Sequence, residues 1–484
     1  MNRRPAPANC FPKPLRMPAS AEIDIGLETR KKATPAGTLE DPFRIALLGD
    51  FSGHASRGVT RGPGAPIPVD SVNLEEVMEM LQVSIRLTMD ETPIDISFRS
   101  LDDFHPDALQ ERLPVFQAFA RLRDRLADPA TFAAAAEFLG GRRPGEEAGA
   151  GSSAVRRPVE SGAVAAQPAR DPAADWDDFI QRSVAAHLKP GSEPGPAEWT
   201  AATDAAIGAL MRSCLASPAF QSAESAWRSV LFLLERLEAR EDLQIELIDV
   251  AKPDLVDLAP AGWSVAACLH RFEPEAQDCR LLAFLAAMGR RAGGPVLAEI
   301  GVRLAGCESI KDVPNPDHWR SPLEETAASA WHWLRADPDA RWLGVAVPRF
   351  LLRLPYGRDT GEITSLAFEE MPSPPVHEAY LWGSPAVACA CALGQSYARY
   401  GWKMRPGQVR RLEGLPVHNY RCDDEICMTP PAEVWLTEYR AERILADGAM
   451  PLISPRASDS LRILLFQSVA DPPAPLAGPW ESGL

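Results

Sequence analysis

The chain has 484 residues, 46% of them hydrophobic and 24% charged, with a formal net charge of -16. These are the proportions of a globular protein with room for two or three cores. The negative balance offers no basic footprint for nucleic-acid phosphates or anionic membranes, so no nucleic-acid binding and no membrane insertion are expected. No apolar run reaches the roughly 18 residues that a spanning helix needs. The opening MNRRPAPANCFPKPLRMPAS is cut by prolines and lacks the apolar core of a signal peptide. Nine cysteines without a repeated spacing make no disulfide framework, and a reduced, cytoplasmic protein is expected.

Residues 1–41 are rich in Pro, Ala and charge and read as a flexible N-terminal arm. Order begins at Pro42. Phe43 to Leu48 (FRIALL), ended by Gly49, Asp50 and a Ser-Gly turn, predicts a buried strand, and the Gly- and Pro-bearing stretch 52–68 predicts a loop. Asn73 to Leu81 has a cap residue, early acids and an apolar stripe through Leu74, Val77, Met78 and Leu81, which predicts a short helix. Alternation over 83–87 and 94–98 predicts two strands. A long helical pattern runs from Asp107 through Leu126, and a second helix covers Pro129 to Leu139. Residues 140–174 contain no Leu, Ile or aromatic residue and read as a disordered linker. The first folded segment is therefore 42–139.

The second is 175–469. Helices are predicted at 176–188, 198–216 and 220–239, a strand at 243–250 and a helix at 277–292, followed by the stretch 295–300. A helix at 322–335, strands at 342–347 and 350–354 and a helix at 383–400 follow. The segment closes with the stretch 434–436, a short helix at 438–447 and a strand at 461–466. The Pro-rich tail, 470–484, is expected to fray. Interleaved strands and helices place the chain in the α/β (mixed α+β) class.

Motifs that could carry chemistry are few. Gly49-Asp50-Phe51-Ser52-Gly53 has its Ser one place too late for a nucleophile elbow, and His54 two residues on does not complete a triad by sequence alone. The glycines at 58, 62 and 64 beside Arg57 and Arg61 lack the Lys-Ser/Thr of a P-loop. Cys389 and Cys391 point to different sides of a predicted helix. Cys422 and Cys427 have no second pair at zinc spacing, and His377-Glu378 lacks the second His of a zincin. No catalytic residue, metal or cofactor is expected. Pro348 to Gly357 (PRFLLRLPYG) is unusual in placing Arg349 and Arg353 inside an apolar run. Two readings stand: an inter-subunit ion pair, or arginines reaching solvent from a strand's outer face.

Several ordered words carry a family likeness. FRIALLGDFSG at 43–53, Val69-Asp70 with the helix at 73–81, and ISFRSLDDFHPDAL at 96–109 resemble TssB, the small subunit of type VI secretion contractile sheaths. Residues 204–469 resemble the large subunit TssC. The likeness runs through Pro218-Ala219-Phe220, ESAWR at 224–228, the 348–357 segment, Phe368-Glu369-Glu370, Leu381-Trp382-Gly383, SYARYGW at 396–402, EGLPV at 413–417 and Gln467-Ser468.

The resemblance implies two sheath-like segments packed as one protomer-like body. It also implies a structural role, with separate sheath subunits TssB and TssC, an Hcp inner tube and a baseplate as partners, and the ATPase ClpV as a further one. Self-association is a natural expectation. Asp50, Trp227, Arg228, Arg349, Arg353, Tyr356, Trp382 and Trp402 are the structural or inter-subunit candidates within the matching words. The TssC pattern stops near Ser468, short of the portion that in the family supplies inter-protomer strands. A body that caps, adapts or regulates a sheath without polymerising is therefore expected, against a fully polymerising fused subunit. Rivals of other classes are a binding module and a small-molecule enzyme using the Asp50–His54 turn.

Overall fold

The computed structural model describes residues 41–89, 92–140, 174–189, 194–237, 240–308, 310, 323–422 and 425–481. The expected arm and linker lie outside them, apart from Asp41, Gly140 and Ala174. The first segment provides β1 (Phe43–Gly49), β2 (Ile67–Val69), α1 (Leu74–Leu81), β3 (Ser84–Met89), β4 (Thr92–Ser97), α2 (Pro106–Arg112), α3 (Pro114–Ala127) and α4 (Phe132–Gly140). The second opens with α5 (Ala174–Ala185), α6 (Pro196–Leu215), α7 (Pro218–Arg236), β5 (Leu243–Asp249), β6 (Val265–Phe272), α8 (Ala276–Ala292), β7 (Val296–Ile300), α9 (Glu325–Arg335) and β8 (Leu343–Val347). It continues with β9 (Phe350–Leu351), β10 (Trp382–Gly383), α10 (Pro385–Tyr400), β11 (Arg411–Leu412), β12 (His418–Cys422), β13 (Glu425–Thr429), α11 (Glu438–Ala446), β14 (Ala449–Ile453) and β15 (Leu461–Ile463).

A nine-stranded sheet organises these elements, in the order β11-β15-β14-β8-β7-β6-β1-β5-β2. Strands β14, β8, β7, β6, β1 and β5 run parallel, and the outer strands pair antiparallel. The first segment's β1 is not an edge addition. It lies between β5 and β6, with Phe43 opposite Leu243, Gly49 opposite Asp249 and Ile45 opposite Val265. A strand buried on both faces must be apolar on both, which is why FRIALL is continuous and not alternating.

Its side chains split by parity. Phe43, Ile45 and Leu47 join the core shared with α7 and α10, whereas Ala46 and Leu48 join the core shared with α8 and α9. The result is helices on both faces of a mostly parallel sheet. The first core is continuous with α2, α3 and α6, so both segments fold around common apolar side chains. The mixed α/β expectation and the single body hold.

The structure differs from the sequence reading in several places. The pattern from 107 to 126 is two helices, because Pro114 removes an amide donor mid-run and starts α3 at its first turn. Asn73 sits at the N-cap of α1 but its side chain accepts from Asp70 N–H, 2.8 Å away, and does not cap the helix. Strands β6 and β14 and the β12–β13 hairpin were not anticipated. The expected fraying of the tail is corrected too: Leu476, Ala477 and Trp480 are buried, and Ala477 N–H donates to Arg341 O at 2.8 Å. Three apolar anchors among the prolines suffice to seat it.

Candidate functional site: the seam between the two segments

Where β1 ends, the chain must turn sharply. Gly53 has φ +74, a value that favours glycine, and a Cβ there would meet Ser84 O at 2.2 Å. Asp50 stabilises the turn: its carboxylate accepts from His54 N–H at 2.8 Å and Ala55 N–H at 3.0 Å. Burial pushes the Asp50 carboxyl above its ordinary value, and neighbouring Asp249 adds to this, despite the two amides.

Ser52 Oγ lies 2.5 Å from His54 Nδ1, and Asp249 Oδ2 lies 3.6 Å from that same nitrogen. A relay needs the hydroxyl and the carboxylate on opposite ring nitrogens. Here both address one. Asp249 Oδ1 also accepts from Ser52 N–H at 3.0 Å, so the cluster pins the turn to the end of β5.

Aromatic side chains clamp β1 from the other segment. Trp227, fully buried on α7, donates from Nε1 to Phe51 O at 3.0 Å and meets the Phe51 ring edge-on at 5.5 Å. Phe43 stacks on Tyr397 at 4.7 Å, and Trp402 packs 5.7 Å from Phe43. Asp107 of α2 accepts from the backbone and hydroxyls of Thr364 and Ser365, crossing between the segments again.

The arginines take a third option beyond the two foreseen. Arg353 is 9% exposed and its guanidinium is paired within the chain. It grips Glu224 (Nε–Oε1 2.7 Å, Nη2–Oε2 3.1 Å) and Glu370 (Nη1–Oε2 2.7 Å, Nη2–Oε1 3.0 Å). Arg228 Nε adds a bond to Glu224 at 2.7 Å and its Nη2 donates to Tyr356 Oη at 3.0 Å, while Tyr356 N–H donates to Glu370 at 2.7 Å. Every carboxylate in this knot has a guanidinium, the condition under which buried charge is tolerable. Burial pushes the Glu224 carboxyl up, but Arg353 and Arg228 outweigh it and hold the group below its ordinary value.

Arg349 pairs with Glu433, Nη2 to Oε1 at 2.5 Å, and His377 Nε2 lies 2.7 Å from the same oxygen. Glu433 is held down to about 2: burial opposes this, and Arg349 and His377 win. Trp382 donates to His377 O at 3.1 Å and its carbonyl accepts from Ser225 Oγ at 3.0 Å, tying β10 to α7.

Arg228, Arg353 and Tyr356 thus meet in one knot. Trp402 packs at the start of β1 and Asp50 and Trp227 lie at its end, while Arg349 and Trp382 are linked through Glu433 and His377. The partner carboxylates Glu224, Glu370 and Glu433 were missed as site residues, although Glu224 and Glu370 sit inside the words ESAWR and FEE. Their signal was an acid embedded in an apolar pattern, the complement of the embedded arginines.

Comparison with known proteins decides the family. The VipB model, described as the tail sheath N-terminal domain, matches residues 197–265 and 259–470, and the type VI secretion system VipA model matches 23–136. The chain belongs to the type VI secretion sheath family. It is a fused sheath protein, with a TssB-like segment ahead of a TssC-like one. It is 28% identical over 302 residues to the type VI secretion system sheath protein TssC1 of Pseudomonas aeruginosa, an alignment covering 56% of this chain and 61% of that protein. The chain therefore spans about three fifths of that relative. The β1 insertion joins the VipA-like and VipB-like parts of this sheath-family chain in one sheet. Among the described residues no helix is long and apolar enough to cross a membrane, and no group of three or more His, Cys, Asp or Glu is placed to hold a metal ion.

Proposed function

We propose that this protein is a non-catalytic structural element of a type VI secretion apparatus, a pre-joined sheath protomer that does not polymerise by itself. It would cap, adapt or regulate a sheath made of separate TssB and TssC subunits, in the cytoplasm. The observation that carries the reading is β1 of the TssB-like segment lying between β5 and β6 of the TssC-like segment. The function of such a body is shape, set by burial and by the Arg353 knot, with no demand for reactive groups.

Non-polymerisation draws support from the sheet edges. The outer strands β2 and β11 are three and two residues long, and β2 carries Pro68, so neither presents a long unpaired ladder to a further chain. Contacts with the Hcp tube, the baseplate and ClpV belong to the same proposal. The test is electron microscopy of the purified chain, alone and co-expressed with inner-tube protein. Particles of protomer size in both are expected. Long tubes in either would overturn the non-polymerising reading and favour a polymerising fused subunit.

A further inference from the structure

The carboxyl ends of parallel strands in an open α/β sheet border a crevice, the usual place for a ligand in such folds. Here that crevice is a cavity of about 400 Å³, bordered by Asp50 after β1, His270 and Arg271 in β6, Glu299 in β7 and Arg349 after β8. Glu299 is 6% exposed. Among the described residues its carboxylate accepts no hydrogen bond. Its nearest cations are Arg271 Nε at 3.9 Å and Arg349 Nε at 4.0 Å, and each is held closer by another acid: Arg271 by Glu273 at 2.9 Å, Arg349 by Glu433 at 2.5 Å. Around the crevice Asp50, Glu273, Glu299 and Glu433 face Arg271 and Arg349. His377 is spent on Glu433, and burial keeps the His270 imidazole neutral by pushing it down to about 4. A buried carboxylate lacking donors is costly, and this one borders open space.

We infer that the crevice is a binding site for an ammonium or guanidinium head group on an aliphatic stem, with the cation's N–H groups donating to Glu299. Leu269, Ala226 and Trp382 line the same cavity and give the stem an apolar wall. Asp50 is the second acid in reach of the cavity, which favours a multi-donor head over a single hydroxyl. The Glu299 carboxyl is pushed up to about 7 by burial that Arg349 and Arg271 only partly offset, so its negative charge is left incompletely compensated. The same chemistry can come from a free small amine or from a Lys or Arg side chain of another protein.

The test is calorimetric titration of the full chain with n-butylguanidinium and with N-acetyl-arginine-methylamide, using neutral butyramide as control. Wild type should bind cationic probe in the millimolar range, and more tightly at pH 8 than at pH 5.5. Glu299→Gln should weaken binding at least tenfold. Ser222→Trp, which plugs the cavity from an exposed position on α7, should do the same without touching the acid. Binding of both cations assigns the site to a side chain of another protein; binding of butylguanidinium alone assigns it to a free small organic cation. No binding by wild type, equal binding by Glu299→Gln, or equal binding of butyramide overturns the inference.

Discussion

Replacing Arg353 by Met tests whether the buried knot holds the body together. The substitution keeps an unbranched stem of similar length and removes five bonds, two to Glu224, two to Glu370 and one to Leu354 O. It leaves Glu224 with Arg228 alone, and Glu370 with the Tyr356 amide alone. Both acids are essentially sealed, at 0% and 3% exposure. Removing one partner of a buried ion pair costs about 3–5 kcal/mol, mostly as the penalty on the charge left behind. With an unfolding entropy of about 2.1 cal/mol/K per residue, a chain of 484 residues loses about 1 °C of Tm per kcal/mol, so a drop of about 4 °C is expected. Urea unfolding followed by tryptophan fluorescence gives the energy directly. Adding Glu370→Gln to Arg353→Met should recover part of the loss, because one stranded charge is gone. The deficit should also shrink in acid. A carboxylate held below its ordinary value, as Glu224 is, contributes stability above its unfolded value near 4.3, and that contribution disappears as pH falls through the folded value. A loss under about 1 kcal/mol, or a double variant no better than the single one, would refute the reasoning.

Trp227→Phe removes the Nε1 donor from Phe51 O and leaves a buried carbonyl unpaired beside a small void. About 2–3 kcal/mol is expected at the urea midpoint. Gly53→Ala combines φ +74 with a Cβ at 2.2 Å from Ser84 O. More than about 2 kcal/mol should be lost, because both the left-handed backbone and the β3 carbonyl resist. Glu299→Gln should change the pH profile. A carboxyl raised in the folded state contributes stability below its unfolded value and loses it as pH rises through the folded value, here about 7. Wild type should thus lose roughly 3 kcal/mol relative to the variant between pH 4 and pH 8, read by thermal melting across that range.

Sequence reading located most elements because periodicity is local. FRIALL declared a two-faced strand, and the stripe through Val115, Phe116, Phe119 and Leu122 declared α3. Composition cannot say which strands neighbour one another. That β1 pairs with residues about 200 positions away follows from tertiary packing alone. Strand β6 was overlooked because its apolar run, VAACL, ends in His270 and Arg271 and shifts register against β7 there, which blurs the pattern. The tail was misjudged because its prolines outweighed three apolar anchors. Within the candidate site, the embedded arginines were visible. Their acids were not, since a Glu buried at 0% exposure and a Glu at the surface read alike without the fold.

The β1 insertion gives the covalent fusion a physical meaning. A central parallel strand has no partner of its own, and β5 and β6 cannot close the sheet across the gap it leaves, so neither segment's core is complete alone. As separate chains, the segments would lose association entropy to meet, and each would expose an apolar face until then. On one chain the encounter is intramolecular, set by an effective concentration and not by expression levels, and loop closure grows only as the logarithm of the connecting length. The junction is placed to keep this cheap. Helices α4 and α5, the last before and the first after it, pack together, with Gln181 Nε2 donating to Phe138 O at 2.9 Å. Cutting the chain between residues 140 and 174 should therefore leave a complex that survives gel filtration at high concentration and falls apart on dilution. The intact chain should show no such concentration dependence. Two stable, separately folded fragments that never rejoin would contradict the shared sheet as the source of the body's cohesion.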